Sequence, residues 1–162
     1  MIDHTLLVAS CDFSGRLSAG RAAAAIARGL SAAGLPEPDQ CPISAAHSLH
    51  GPVMGMATGE GGASVRELLD GLGFDARMRA AHAVIVGDGR LDPRTLSGSV
   101  VFEIATRARQ GGVPAYAITA ENALSAFDAR VLDLQVILEA RGERALETAG
   151  RQLAGLVRCV DR

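Results

Sequence analysis

Asp88, Arg90 and Asp92 stand at alternate positions where an apolar run gives way to glycine: Ala83-Val84-Ile85-Val86-Gly87-Asp88-Gly89-Arg90-Leu91-Asp92-Pro93-Arg94-Thr95-Leu96-Ser97-Gly98. A buried strand of a parallel sheet delivers polar groups to a ligand at its carboxyl end in this way. Two or three carboxylates beside a guanidinium suit Mg²⁺ held by oxygen ligands together with a phosphorylated ligand. Asp88 and Asp92 are then the metal ligands, and Asp88, Arg90 and Asp92 the catalytic candidates, with Arg90 on a phosphate or carboxylate. Asp12 can approach from the other side of the same cleft. For Asp92 a plainer reading is equally good, because an aspartate before Pro93 starts a turn, and Asp88 between glycines tolerates unusual backbone angles.

Ser97-Gly98-Ser99 follows that acid-rich loop at the start of a helical pattern, where backbone amides, hydroxyls and the positive end of the helix dipole suit an anion. Taken alone, Ser97 reads as an N-cap. Other patterns carry less. Gly59-Glu60-Gly61-Gly62 lacks the GxxxxGK[ST] spacing, and Gly87-Asp88-Gly89 departs from GxGxxG because Asp92 takes the last glycine position. His47 and His50 have no third ligand at metal spacing and read as solvent-facing loop residues. Cys11 and Cys41 have no adjacent histidine or basic neighbour, and Cys159 has Arg158 but no histidine beside it, which argues against a thiolate nucleophile.

All 16 basic residues are arginine. A Schiff base, a Walker-type phosphate lysine and a lysine general base are therefore excluded. The formal net charge of -2, with no basic cluster, argues against a nucleic-acid partner. Three cysteines without a CxxC pair fit a reducing compartment. Asp3 and His4 precede a short apolar run, so no signal peptide is expected; no run approaches membrane-spanning length, and the expected location is cytoplasmic.

The elements that must position these residues follow from apolar patterning. Thr5 to Cys11 reads as a strand ending at the polar turn Asp12-Phe13-Ser14-Gly15, and Ser18 caps an alanine-rich helix over Ala19 to Leu30 that stops at Gly34. Pro42 demotes a strand near Gln40 to Ile43 to a sheet edge. An irregular stretch spans about 44–62. Beyond it come helical patterns at Val65 to Leu72 and Asp75 to Ala81, a strand over His82 to Val86, and a helix from about Ser97 to Gln110. Pro114 to Thr119 is the next strand, Ala120 to Asp133 is irregular, Leu134 to Leu138 is the last strand, and Glu143 to Val157 is a closing amphipathic helix.

With 48% hydrophobic but only 3% aromatic residues, alanine, leucine and valine must fill the interior through close helix-on-sheet contact. The expectation is a single α/β domain over 1–162: three layers, a mostly parallel five-stranded sheet with helices on both faces, flavodoxin/Rossmann-like. If the strand order is 2-1-3-4-5, the first and third strands lie side by side. The Cys11–Ser18 loop then faces the Gly87–Gly98 loop across the topological switch point.

Both loops carry a family resemblance. Ala83–Gly98, AVIVGDGRLDPRTLSG, resembles the (V/I)-I-T-G-E-G-R-(L/I)-D-x-Q-(T/S)-x-x-G-K segment of the bacterial-type (class II) glycerate kinase family. Val8–Ala19, VASCDFSGRLSA, resembles that family's A-P-D-S-F-K-G-S-L-S-A segment. The resemblance implies ATP-dependent phosphorylation of glycerate or a similar small organic acid, with Mg²⁺, in a cleft between two α/β domains. Carried onto this chain, it adds Phe13, Ser14 and Gly15 on one side and Gly87, Gly89 and Gly98 on the other. Ser14 and Ser99 stand where the family has lysine, Asp88 replaces glutamate, Arg94 replaces glutamine, and Cys11 replaces an aspartate unless Asp12 takes that place. The family's long central portion, with a second domain, has no counterpart between about Ser44 and Gly62, where only Met56–Gly62 faintly resembles M-A-D-G-G-E-G. The expectation is thus a shortened member that acts as a kinase, or a degenerate relative that binds an organic acid or nucleotide as a regulator or a homo-oligomerising subunit.

Overall fold

The structure, a computed structural model, describes residues 5–13, 17–44 and 64–160. Apart from Ser44, the irregular stretch expected at 44–62 lies outside these residues. Five strands, β1 (Thr5–Cys11), β2 (Asp39–Ile43), β3 (Ala81–Leu91), β4 (Ala115–Asn122) and β5 (Leu134–Glu139), form one sheet in the order β2-β1-β3-β4-β5. Every neighbouring pair is parallel. The protein is α/β, with the strand order that places β1 and β3 together.

Parallel strands covered on both faces read as continuous apolar runs, and Leu6 to Ala9 and Ala83 to Val86 are such runs, all buried. Their side chains alternate between two cores. Leu6, Val8, Ala83 and Ile85 pack under helices α1 (Ala19–Ala32) and α6 (Glu143–Val160). Leu7, Ala9, Val84 and Val86 pack under α2 (Val65–Gly71), α3 (Phe74–Ala80) and α4 (Val100–Gln110). The remaining helix among the described residues, α5 (Ala126–Leu132), precedes β5.

Small residues bring α1 and α6 close together. A Cβ on Gly29 would run into the backbone carbonyl of Glu147, and one on Gly150 would sit 2.5 Å from the carbonyl oxygen of Ile26. The start of α1 is doubly held: the Asp12 carboxylate accepts from the Ala19 N–H at 2.7 Å, and the Ser18 hydroxyl accepts from Arg21 N–H at 3.4 Å.

Three elements depart from the sequence expectation. β3 does not end at Val86 but continues to Leu91, because β4 runs beside it as far as Asn122 and supplies ladder partners such as Glu121 for Arg90. The residues Pro93–Leu96 form a 3-10 turn, so α4 begins at Val100 with Ser99, not Ser97, as its cap. The stretch Ala120 to Asp133, expected to be irregular, holds the end of β4 and all of α5, which Ser125 caps by accepting from Asp128 N–H at 3.0 Å.

Candidate functional site

Phe13 and Gly89 touch, which brings the two polar segments together at the carboxyl end of the sheet. The Phe13 carbonyl lies against Gly89 so closely that no Cβ could stand there. At Gly87 a Cβ would be 2.5 Å from Ser10 Oγ and 3.0 Å from the Phe13 ring. The Phe13 N–H donates to the Leu17 carbonyl at 3.0 Å. Over this junction opens a cleft of about 710 Å³, walled by Phe13, Leu17, Gly89, Ala120 and the segment Arg141–Arg144 that leads into α6. Ser14 and Gly15 lie outside the described residues, as do His47, His50 and Gly59–Gly62.

Asp92 is engaged on both oxygens. Oδ1 accepts from the Arg94 backbone N–H at 2.9 Å, while Oδ2 accepts from Arg94 Nη2 at 2.9 Å and Arg90 Nε at 3.1 Å. Its own N–H donates to Thr95 Oγ1 at 3.1 Å, completing a reciprocal cap on the 3-10 turn. The Arg94 hydrogen bond, assisted by Arg90, holds the Asp92 carboxyl down at about 2. Arg90 reaches Glu121 as well, at 2.8 Å.

Asp88 is in the opposite condition. Burial pushes its carboxyl up to about 6, against hydrogen bonds from the Arg90 and Gly89 backbone N–H groups, and the charges of Asp92 and Asp12 add to the rise. Strand alternation turns Asp88 away from the Phe13 side that Gly87 and Gly89 face. Its neighbour there is Cys11, whose thiol is raised well above the usual range by burial first, then by Asp88 and Asp12.

Ser99 Oγ accepts from Phe102 N–H at 3.1 Å and donates to the Thr95 carbonyl at 2.7 Å, so its hydroxyl is committed to the helix start. Gly98 takes φ of 86° between Ser99 and the exposed Ser97. Because α4 covers the Val84–Val86 face of the sheet, Ser97–Ser99 lies across the sheet from the cleft. Of the residues expected to share one site, Phe13, Gly87 and Gly89 meet, whereas Arg90, two residues beyond Asp88 on the same strand, shares its side and pairs with Asp92 and Glu121. Asp88 and the serine turn belong to the other face.

Mg²⁺ on Asp88 and Asp92 would have to take Asp92 from two arginines. Among the described residues no group of three or more His, Cys, Asp or Glu side chains is arranged to hold a metal ion. These residues do not fit the ion.

The segment that decides the family includes this loop and runs on through α6: the sequence profile described as the glycerate kinase family matches residues 43–160. The chain belongs to the glycerate kinase family. The Val8–Ala19 segment falls before the matched range. No curated protein matches the chain. Among solved structures, a protein assigned as glycerate kinase 2 from Salmonella typhimurium LT2 is 21% identical with a TM-score of 0.45, over 58% of this chain and 26% of that one. A flavodoxin from the domain Archaea is 12% identical with a TM-score of 0.45, over 95% of this chain and 99% of that one. The chain thus spans about a quarter of the glycerate kinase structure it matches. No helix among the described residues is long and apolar enough to cross a membrane.

Sequence reasoning missed the cleft residues Arg21, Glu121, Arg141, Glu143 and Arg144. A signal existed. In an open parallel sheet every strand-to-helix loop emerges at the same end, so Ala140-Arg141-Gly142-Glu143-Arg144, after the last strand, had to border the ligand end as surely as the first two loops.

Proposed function

We propose that the chain works in ATP-dependent phosphoryl transfer to glycerate or a similar small organic acid, and that the acid and nucleotide are held in the cleft over Phe13 and Gly89. The observation that carries this reading is the contact of the Phe13 and Gly89 loops beneath that cleft, in a chain of the glycerate kinase family. Such a site sits at the switch point of an open α/β sheet, where ligands are expected. Folded protein incubated with ATP, a divalent cation and a panel of hydroxy acids including glycerate should form ADP and a phosphate ester, read by ³¹P NMR. No turnover with any acid overturns catalysis by this chain.

The capture of Asp92 by Arg90 and Arg94 favours a second reading, a relative that binds an organic acid or nucleotide without turning it over, as a regulator or a self-associating subunit. Loss of a positioned cation from phosphoryl transfer costs on the order of 10³ to 10⁵ in rate, and Ser14 and Ser99 replace two family lysines. Calorimetric titration with glycerate and ATP separates the two readings: binding without ester formation supports the second, and no binding of either removes both.

A further inference from the structure

The charges around the cleft do not balance. Glu121 and Glu143 border it, and each has its own arginine: Arg90 Nη1 is 2.8 Å from Glu121, and Arg21 Nε is 2.9 Å from Glu143. Arg141 and Arg144 border the same space, and among the described residues neither pairs with a carboxylate. Arg141 spends only its Nε, donating to the Ala120 carbonyl at 3.1 Å, which fixes the side chain while leaving both terminal nitrogens of the fork unused. Two uncompensated guanidinium groups therefore flank one concave surface.

They flank the start of α6. Its first helical hydrogen bond runs from Leu146 N–H to the Gly142 carbonyl, so the N–H groups of Glu143 to Ala145 have no acceptor within the helix. Gly142, at φ of 84°, has no side chain to cap them. Amides, dipole and guanidinium forks thus act together on the same volume. Phe13 and Leu17, 7% and 8% exposed, form an apolar wall of the same cleft.

We infer that Arg141 and Arg144, with the first backbone amides of α6, form an oxyanion subsite that takes a carboxylate or phosphate group of the ligand. The assignment deepens the proposed function and rests on its placing of the ligand in this cleft. It moves anion recognition from Ser97–Ser99, whose hydroxyl and helix end face the other side of the sheet, to the last strand-to-helix loop.

Inorganic phosphate is the first probe. Titrated into ¹⁵N-labelled protein, it should shift the amides of Gly142, Glu143 and Arg144, and Arg141→Gln and Arg144→Gln should each weaken binding about tenfold, the scale of one charge-assisted hydrogen bond. Arg79→Gln, an exposed arginine on α3, should change nothing. Arg144→Gln removes no hydrogen bond seen in the structure, so it keeps the test valid if Arg141→Gln fails to fold. Glycerate and ATP form the second arm, and whichever loses affinity in the variants carries the recognised group. Absent phosphate binding, shifts confined to other segments, or unchanged phosphate affinity in Arg144→Gln overturn the subsite. If phosphate binds as expected while glycerate and ATP do not bind, the subsite stands and the proposed function fails; if glycerate and ATP both bind the two variants as well as they bind the parent, the reverse holds.

Discussion

Asp88 and Asp92 are two carboxyls four residues apart whose surroundings drive them in opposite directions, and their variants should respond to pH with opposite signs. For Asp88 the folded value is about 6 against 3.8 for the free side chain. As pH rises from about 4 to 6 the unfolded chain has already released the proton that the folded chain still holds, so stability falls across that window and stays lowered above it. The ceiling on this loss is about 3 kcal/mol. Asp88→Asn can still accept the Gly89 and Arg90 N–H groups, so chemical denaturation at pH 7 should show it more stable than wild type, with the slope between pH 4 and 6 removed. If the parent shows no such slope, Asp88 is solvated in the folded chain. Asp92, held at about 2, contributes stability above about pH 4 that is lost as pH falls toward 2. Asp92→Ala removes a cap and should cost about 1–2 kcal/mol, while Asp92→Asn, which keeps an acceptor, should cost less. Equal losses in the two variants would show that charge, not capping, fixes the turn. This pair also marks how far the site was legible. Residue types announced acids beside arginine, but spacing alone left Asp92 open between ligand and turn; only the positions of Arg94 Nη2 and Thr95 Oγ1 assign it to the turn.

Helix α6 carries the clearest contrast at the scale of an element. Gly150 lies against the α1 backbone at Ile26 and Gly29, whereas Gly155, one and a half turns further, has nothing within 4 Å of where a Cβ would be. Gly150→Ala should push the helices apart and cost about 1–3 kcal/mol, the usual range for overpacking against an unyielding neighbour. Gly155→Ala should stabilise by about 0.5–1 kcal/mol, because alanine restricts the unfolded chain and favours helix. Thermal melts of the two variants should move in opposite directions; a destabilised Gly155→Ala would mean that this face of α6 is covered in solution. Elements with a buried apolar pattern were legible in the sequence to within a few residues: β1, β2, α1 with its Ser18 cap, β5 and α6. Those that failed lacked such a pattern. Phe127 and Val131 of α5 are 73% and 39% exposed, so this helix has no buried stripe to betray it. The extension of β3 through Gly87-Asp88-Gly89-Arg90 reads as a turn by composition, and it is a strand only because β4 supplies a partner.

The cleft is a property of the whole molecule, since its walls come from segments between Phe13 and Arg144 that meet only when β1, β3, β4 and α6 are assembled. A ligand that needs this assembly binds the folded chain alone, so its binding energy adds to stability. At a concentration one hundred times its dissociation constant the gain is about 2.7 kcal/mol, a rise of roughly 5–10 °C in Tm for a chain of this size. Phosphate or glycerate should therefore raise the melting temperature in a concentration-dependent way, and less so at high salt because the arginine forks are exposed. The crossing of α1 on α6 sets where Arg141 and Arg144 stand relative to Phe13, because α1 begins at the Phe13 loop and α6 begins at the arginine segment. Gly150→Ala should then lower ligand affinity as well as Tm, while Gly155→Ala, which leaves the crossing unchanged, should raise Tm with affinity intact. The decisive measurement is the ligand-induced shift in each variant, taken relative to that variant's own melting temperature. A full shift in Gly150→Ala would show that the β5–α6 loop holds its position independently of the helix packing, and that the geometry of the cleft is set by the sheet alone.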